Sequence, residues 1–182
     1  MLSIVHIPKP VLSTPAKRIT SFDKKLQEIV ADMTSTLLSA RNPKGVGLAA
    51  PQVGLSLQLF IIHPSTKDPI SVFINPEIIH MEKNPPKADQ PRAGSEHLEG
   101  CLSIPNIWGD VKRAPALTLR YQDVQGKHHE ETFTGFPAVI IQHEYDHIHG
   151  VLFTQRVLEQ KNKLYQNAKD EQGKEILEEI SI

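Results

Sequence analysis

Apolar residues fall at helical spacing in the first quarter of the chain. Phe22, Leu26, Ile29, Val30, Met33 and Leu37 make one stripe, which predicts an amphipathic helix to about Ala40 with Ser21 as its cap. Before it, Pro8, Pro10 and Pro15 deny a helix, so residues 1 to 20 read as extended. After it, "NPKGVGLAAPQVG" reads as a glycine-rich loop. The pattern then shortens to strand length: "LQLFIIH" and "ISVFIN" predict two strands joined by the turn "PSTKDP", and "ALTLRYQD" and "HHEETFTG" predict a hairpin around Gly126. Between the two pairs, residues 82 to 97 are polar and proline-rich, the composition of a mobile loop. A second helix is predicted over "FPAVIIQHEYDHIHG", with Pro137 in its first turn and Gly150 just past its end. Residues 157 to 170 read as a further, exposed helix opening a C-terminal helix-and-tail segment, 157–182. With no repeat and no linker, these elements predict one α+β domain over residues 1–182.

Composition narrows what such a domain does. A chain of 182 residues is long enough for one well-packed core and short for two. Its 39% hydrophobic and 23% charged residues are an ordinary globular balance, and a formal net charge of -1 argues against a chain held on nucleic acid or anionic lipid by bulk charge. No apolar run approaches the roughly 20 residues that span a bilayer. The first residues lack the basic start and apolar core of a signal peptide. One cysteine cannot form an internal disulfide, and with no export signal the reducing cytoplasm is the expected setting.

The candidate chemistry sits in "HEYDH". His143 and His147 stand at i and i+4, which on a helix puts both imidazoles on one face, within reach of one divalent ion. Glu144, one step round, can reach a water on that ion without ligating it. The H-E-x-x-H pattern arises by chance in roughly a few per cent of chains this long, and its plainer reading is a charged helix end with histidine near the C-terminal dipole. A catalytic zinc-type site needs a third protein ligand and an open position. The metalloprotease extension H-E-x-x-H-x-x-G-x-x-H fits at Gly150 but fails at Phe153. Glu159 and Glu171 are available downstream, and Cys101 is the remaining candidate, since a thiolate with two imidazoles is a recognised catalytic set. Two other readings of Cys101 stay open: a small buried hydrophobe, the usual fate of a lone cysteine, and a nucleophile with a histidine base. A zinc deaminase is excluded, because its signature needs a C-x-x-C pair.

Three blocks, "GVGLAAPQ" (45–52), "EGCLS" (99–103) and "QHEYDH" (142–147), match in order and spacing the three motifs of peptide deformylases, and the chain resembles that family from "KPVL" near its start through "GVLF". It departs from the family's pattern at Trp108, where many members carry an arginine, and in residues 82–97, which look longer than the usual connection. The resemblance implies hydrolysis of the N-formyl group from N-formylmethionyl nascent polypeptides, releasing formate. It implies a domain of antiparallel sheets around a central helix carrying the H-E-x-x-H motif, with an N-terminal and a C-terminal helix. It implies a metal ion, usually Fe2+, with Zn2+, Ni2+ or Co2+ able to occupy the site, held by Cys101, His143 and His147.

On that resemblance, water activated by the ion attacks the formyl carbon, with Glu144 as general base and acid. Gln52 and the Leu102 N–H stabilise the oxyanion. Gly47 lets a peptide backbone approach. Val46, Phe136, Val139 and Ile140 are candidates for a methionine pocket, and Trp108 for an apolar wall beside the residues after methionine. Glu99, Asp146 and Arg113 are candidates to orient the ligands. The alternatives are a cysteine hydrolase using Cys101 and a non-catalytic metal protein that binds N-termini. The tail has its basic residues first and its acidic ones last, so weak ribosome association through its proximal helix is the only nucleic-acid contact expected. Neither a membrane nor a sequence-specific nucleic acid is expected as a partner.

Overall fold

The computed structural model describes residues 1–41, 44–82 and 98–180. The first apolar stripe folds as α1 (Lys24–Ser39), with Leu26, Met33, Thr36 and Leu37 buried. Its cap is Asp23 and not Ser21: the Asp23 carboxylate accepts the Leu26 N–H at 3.0 Å, satisfying a donor that the first helical turn cannot. Residues 1 to 20 are extended as expected, apart from a 3-10 turn at Pro10–Ser13.

The segment read as a glycine-rich loop is a correction. Gly47–Ala49 form a short strand, β1, and Ala50–Val53 a 3-10 turn. Three residues carry no readable periodicity; pairing with β2 (Leu59–Ile62) makes them a strand. β2 is buried on both faces and divides by alternation. Leu59 and Ile61 pack in the cluster of α1 residues, while Phe60 and Ile62 pack with Ala138, Ile141 and Ile148. β3 (Ser71–Met81) runs further than expected, continuing through an irregularity between Ile74 and Glu77 at Pro76.

β6 (Ala116–Gln122) and β7 (His128–Thr134) are the predicted hairpin and complete a five-stranded antiparallel sheet in the order β1-β2-β3-β6-β7. α2 (Phe136–Ile148) is the predicted second helix, with Pro137 in its first turn. One side of it packs on that sheet. The other faces β4 (Leu98–Cys101), which pairs with β5 (Ile104–Asp110) in a second sheet.

The C-terminal segment corrects the sequence reading most. The helix there is α3 (Phe153–Glu159), and the rest of the expected helix is absent: β8 (Leu164–Lys169) and β9 (Glu175–Ile180) form a hairpin that joins the second sheet in the order β4-β5-β8-β9. Asp170 accepts the N–H groups of Gln172 and Lys174 and shapes the turn. β8 gains a ladder against β5, a tertiary contact that outweighs weak helical propensity. Phe153 and Val157 of α3 bury against Ile104, Val111 and Leu164 beneath this sheet. Residues 83–97 of the expected mobile loop lie outside the described residues. Among the described residues no helix is long and apolar enough to cross a membrane.

Candidate metal centre and substrate cleft

α2 and β4 bring the sequence candidates together. The buried Cys101 ends β4, and its Sγ lies 3.1 Å from His147 Nε2. The ligand atoms of Cys101, His143 and His147 all lie within 4.8 Å of one another. The two imidazoles meet edge to face, with ring centroids 4.9 Å apart. His143 uses Nδ1 to donate to Glu99 Oε2 at 2.9 Å, which leaves Nε2 as the ring atom for the Cys101 side. A thiolate and two imidazoles, one oriented by a carboxylate, fit a divalent transition ion. Burial raises the Cys101 thiol, but the charges and hydrogen bonds of His147 and His143 outweigh it and hold the pKa well below the usual thiol value. The alternative third ligands are not here: Glu159 is exposed on α3 and pairs with Arg156 at 3.0 Å, and Glu171 lies in the β8–β9 turn.

Behind the donors sits a web of buried charges. Arg113 grips Glu99 with Nε at 2.8 Å and Nη2 at 3.0 Å, and reaches Asp146 with Nη1 at 2.7 Å. Arg156 closes on Asp146 from the other side at 2.7 and 3.1 Å. Burial disfavours the Glu99 charge, yet the hydrogen bonds from His143 and Arg113 win and bring its pKa down to about 2. Glu99, Arg113 and Asp146 therefore form one unit that fixes His143. The side chains of Arg113, Glu99 and Asp146 are only 7%, 9% and 9% exposed, so removing the cation strands charge in the interior. Arg113→Met is expected to destabilise the protein by about 3–5 kcal/mol. Urea unfolding measures it, and a loss below about 1 kcal/mol would mean that water and Arg156 replace the guanidinium.

Glu144 is 3% exposed and stands apart from that web; its Oε2 has no hydrogen-bond partner among the described residues. Burial pushes its pKa up to about 7, against the pull of His143 and His147. A Cβ on Gly47 would stand 2.3 Å from Glu144 Oε1, so β1 passes this carboxylate as closely as only glycine allows. Gln52 accepts the Ala49 N–H on Oε1 at 2.8 Å, which turns its Nε2 to Cys101 Sγ at 3.4 Å. An amide nitrogen carries two N–H groups, so one remains for another acceptor.

These groups line a cleft of about 890 Å³. Val46, Gly47, Gln52, Cys101, Leu102, Trp108, Phe136, Val139, Ile140, His143 and Glu144 all contribute to its wall. His147, 1% exposed, lies beneath it. Of the expected apolar residues, Phe136 is 55% exposed and Ile140 is buried. β1 and β4 each stand at an edge of their sheet, and both border the cleft. Sequence reasoning missed Gln142, whose amide clamps both backbone groups of Ala114 to α2, and Asn167, which accepts the Trp108 indole N–H. Gln142 was visible only as a letter of its motif. Asn167 carried no signal, because its segment read as helix.

Comparison with known proteins gives one consistent result. The family model described as Polypeptide deformylase matches residues 1–163. Peptide deformylase 1 of Bacillus cereus is 42% identical over 157 residues, 86% of this chain and 92% of that protein. The peptide deformylase of Dehalococcoides mccartyi strain CBDB1 is 37% identical over 177 residues, 97% of each. Among solved structures, that of the Thermotoga maritima peptide deformylase superposes with a TM-score of 0.75 at 34% identity, covering 86% of this chain and 97% of that one. That of the Synechococcus elongatus peptide deformylase in complex with actinonin gives 0.76 at 37%, covering 86% and 80%.

Proposed function

The chain belongs to the polypeptide deformylase family, metalloenzymes that deformylate nascent polypeptides, and we propose that Cys101, His143 and His147 hold its metal ion while Glu144 moves the protons of the hydrolysis. The observation that carries this reading is the meeting of three donor atoms within 4.8 Å beside a buried carboxylate whose Oε2 has no partner. Bound there, a divalent ion supplies Lewis-acid polarisation of the formyl oxygen and a lowered pKa for a water molecule.

The protein's own groups do the rest. Glu144 Oε2 accepts a proton from the attacking water and later delivers it to the amine nitrogen of the leaving methionine. The spare N–H of Gln52 and the backbone N–H of Leu102, next in chain to the thiol, donate to the oxyanion that forms at the formyl carbon. The free edge of β1 at Val46 and Gly47 takes the extended substrate backbone as a neighbouring strand. Val46, Phe136, Val139 and Ile140 receive the methionine side chain, and Trp108 walls the residue that follows.

The Cys101–His147 pair also has the spacing of a thiol nucleophile and its base, but Cys101 is only 3% exposed and is held by Gln52 as well. That second reading predicts turnover that survives chelation. Formate release from a formyl-Met tripeptide, with and without a strong chelator, separates the two: we expect turnover to stop on chelation and return with added metal. Turnover that resists chelation, or metal uptake without formate release, overturns the assignment.

Ferrous iron is the ion this reading favours, on family resemblance and because a thiolate with imidazoles accommodates it. Anaerobic loading with Fe2+ should give the faster but air-sensitive enzyme, and equal, air-stable rates with Zn2+ would refute it. On the same reading the enzyme works in the cytoplasm, on the formylated chains made there. Weak, salt-sensitive contact with the ribosome is the further partner of the same reading, without the basic tail helix that the sequence suggested.

A further inference from the structure

The β8–β9 hairpin lies wholly beyond the residues that the family model matches, 1–163, yet it is paired to the strand that carries Trp108. Trp108 stands opposite Gly100 on β4 and opposite Tyr165 on β8. Directly opposed residues point to one face, and so do residues two apart, so Gly100, Trp108 and Asn167 share a face. The other face carries Gly109 and Leu164, packed on Val157 and Phe153 of α3.

The indole is held at both ends. A Cβ on Gly100 would lie 2.7 Å from Trp108 Cζ3, so the six-membered ring rests on the backbone of the residue next to Cys101. At the far end Nε1 donates to Asn167 Oδ1 at 2.8 Å. The ring thus crosses three strands, from β4 over β5 to β8. Trp108 lines the cleft and Asn167 does not. Without the acceptor, the half-exposed indole loses the hydrogen bond that fixes its far end, and its N–H turns to water.

We propose that the C-terminal hairpin is a specificity element of the cleft, with Asn167 its positioning residue. Asn167 holds the Trp108 indole flat beside Cys101, as a wall for the side chain that follows formyl-methionine. The inference rests on the reading that Trp108 meets substrate there, and it favours peptides with an aromatic or large apolar residue in that place.

The test uses the full-length metal-loaded enzyme and two peptides, formyl-Met-Phe and formyl-Met-Gly tripeptides. Asn167→Leu removes the acceptor at similar volume, and Asn167→Asp keeps an acceptor oxygen. Trp108 is the only tryptophan in the sequence, so its fluorescence reports the indole independently of turnover. Asn167→Leu is expected to raise KM for the Phe peptide about fivefold, the scale of one net hydrogen bond, with kcat and the Gly peptide unchanged. Its emission should shift to the red and become more easily quenched by acrylamide, and Asn167→Asp should restore wild-type values. Unchanged emission in Asn167→Leu overturns the proposal. So does an equal change for both peptides with a lowered Tm, which would make Asn167 plain packing. Trp108→Ala separates the premise from the inference: if it too affects both peptides equally while Asn167→Leu still shifts the emission, the substrate wall is wrong and the hold of Asn167 on the indole stands.

Discussion

Glu144→Ala is expected to keep its metal ion and to lose about 10²–10⁴ in kcat for a formyl-Met peptide, the usual contribution of a positioned general acid–base group. Glu144 is not one of the three residues whose ligand atoms cluster, so its removal leaves the donor set whole. It makes none of the hydrogen bonds that bind Glu99, Arg113 and Asp146 into a unit, so that web of charges also survives. A fully buried carboxyl with a pKa raised by desolvation is a costly thing to keep inside a protein, and here no structural partner offsets that cost. Glu144→Gln sharpens the measurement: it preserves volume against the close approach of Gly47 and removes only the ability to carry the proton. The check is kcat for both variants beside metal content per chain. Near-normal turnover in either, with metal retained, would place the base elsewhere.

The elements that could be read in the sequence are those whose signal is local. The stripe from Leu26 to Leu37 repeats for enough turns to fix α1, and Pro137 and Gly150 punctuate α2 at both ends. The i, i+4 histidines needed only the helix to be right, since helical geometry then sets them on one face. What could not be read depends on distant partners. β1 is a strand because β2 lies beside it, and β8 because β5 does; neither three residues nor a polar run such as "YQNAK" declares this alone. The cap moved from Ser21 to Asp23 because helix boundaries follow the one side chain that reaches an orphan N–H, and both residues qualify by type. Arg113 was nominated with Glu99 and Asp146. The sequence could not say that its guanidinium would join a residue of β4 to one of α2. Asn167 belongs to the same class: its contact to Trp108 spans 59 positions and depends on the pairing of β5 with β8.

Cys101→Ser is expected to strip the protein of most of its metal and, with it, of turnover. The two imidazoles remain on α2, held by the helix and, for His143, by Glu99. Two imidazoles on one helix face do not match a set that includes a thiolate, and a serine hydroxyl stays protonated where the thiol does not. The Cys101 thiol is favoured as an anion although it is buried, because His147 and His143 hold its pKa down; serine inherits the burial without the ionisation. Changes to groups that merely orient ligands cost about 10–100-fold in metal affinity, and loss of a ligand atom itself should cost more than that. Metal analysis after gel filtration, on variant and parent grown and handled alike, reads the occupancy. A Tm measured with metal removed from both separates ligation from packing: the two metal-free proteins should melt close together, since the change swaps one small buried group for another. Only the parent should gain stability when metal returns, by the linkage between binding and folding. A serine variant that keeps one ion per chain and is stabilised by it as the parent is would mean that the thiol is not a ligand. The lone cysteine of the cleft wall would then be a buried filler or the nucleophile of a different hydrolase.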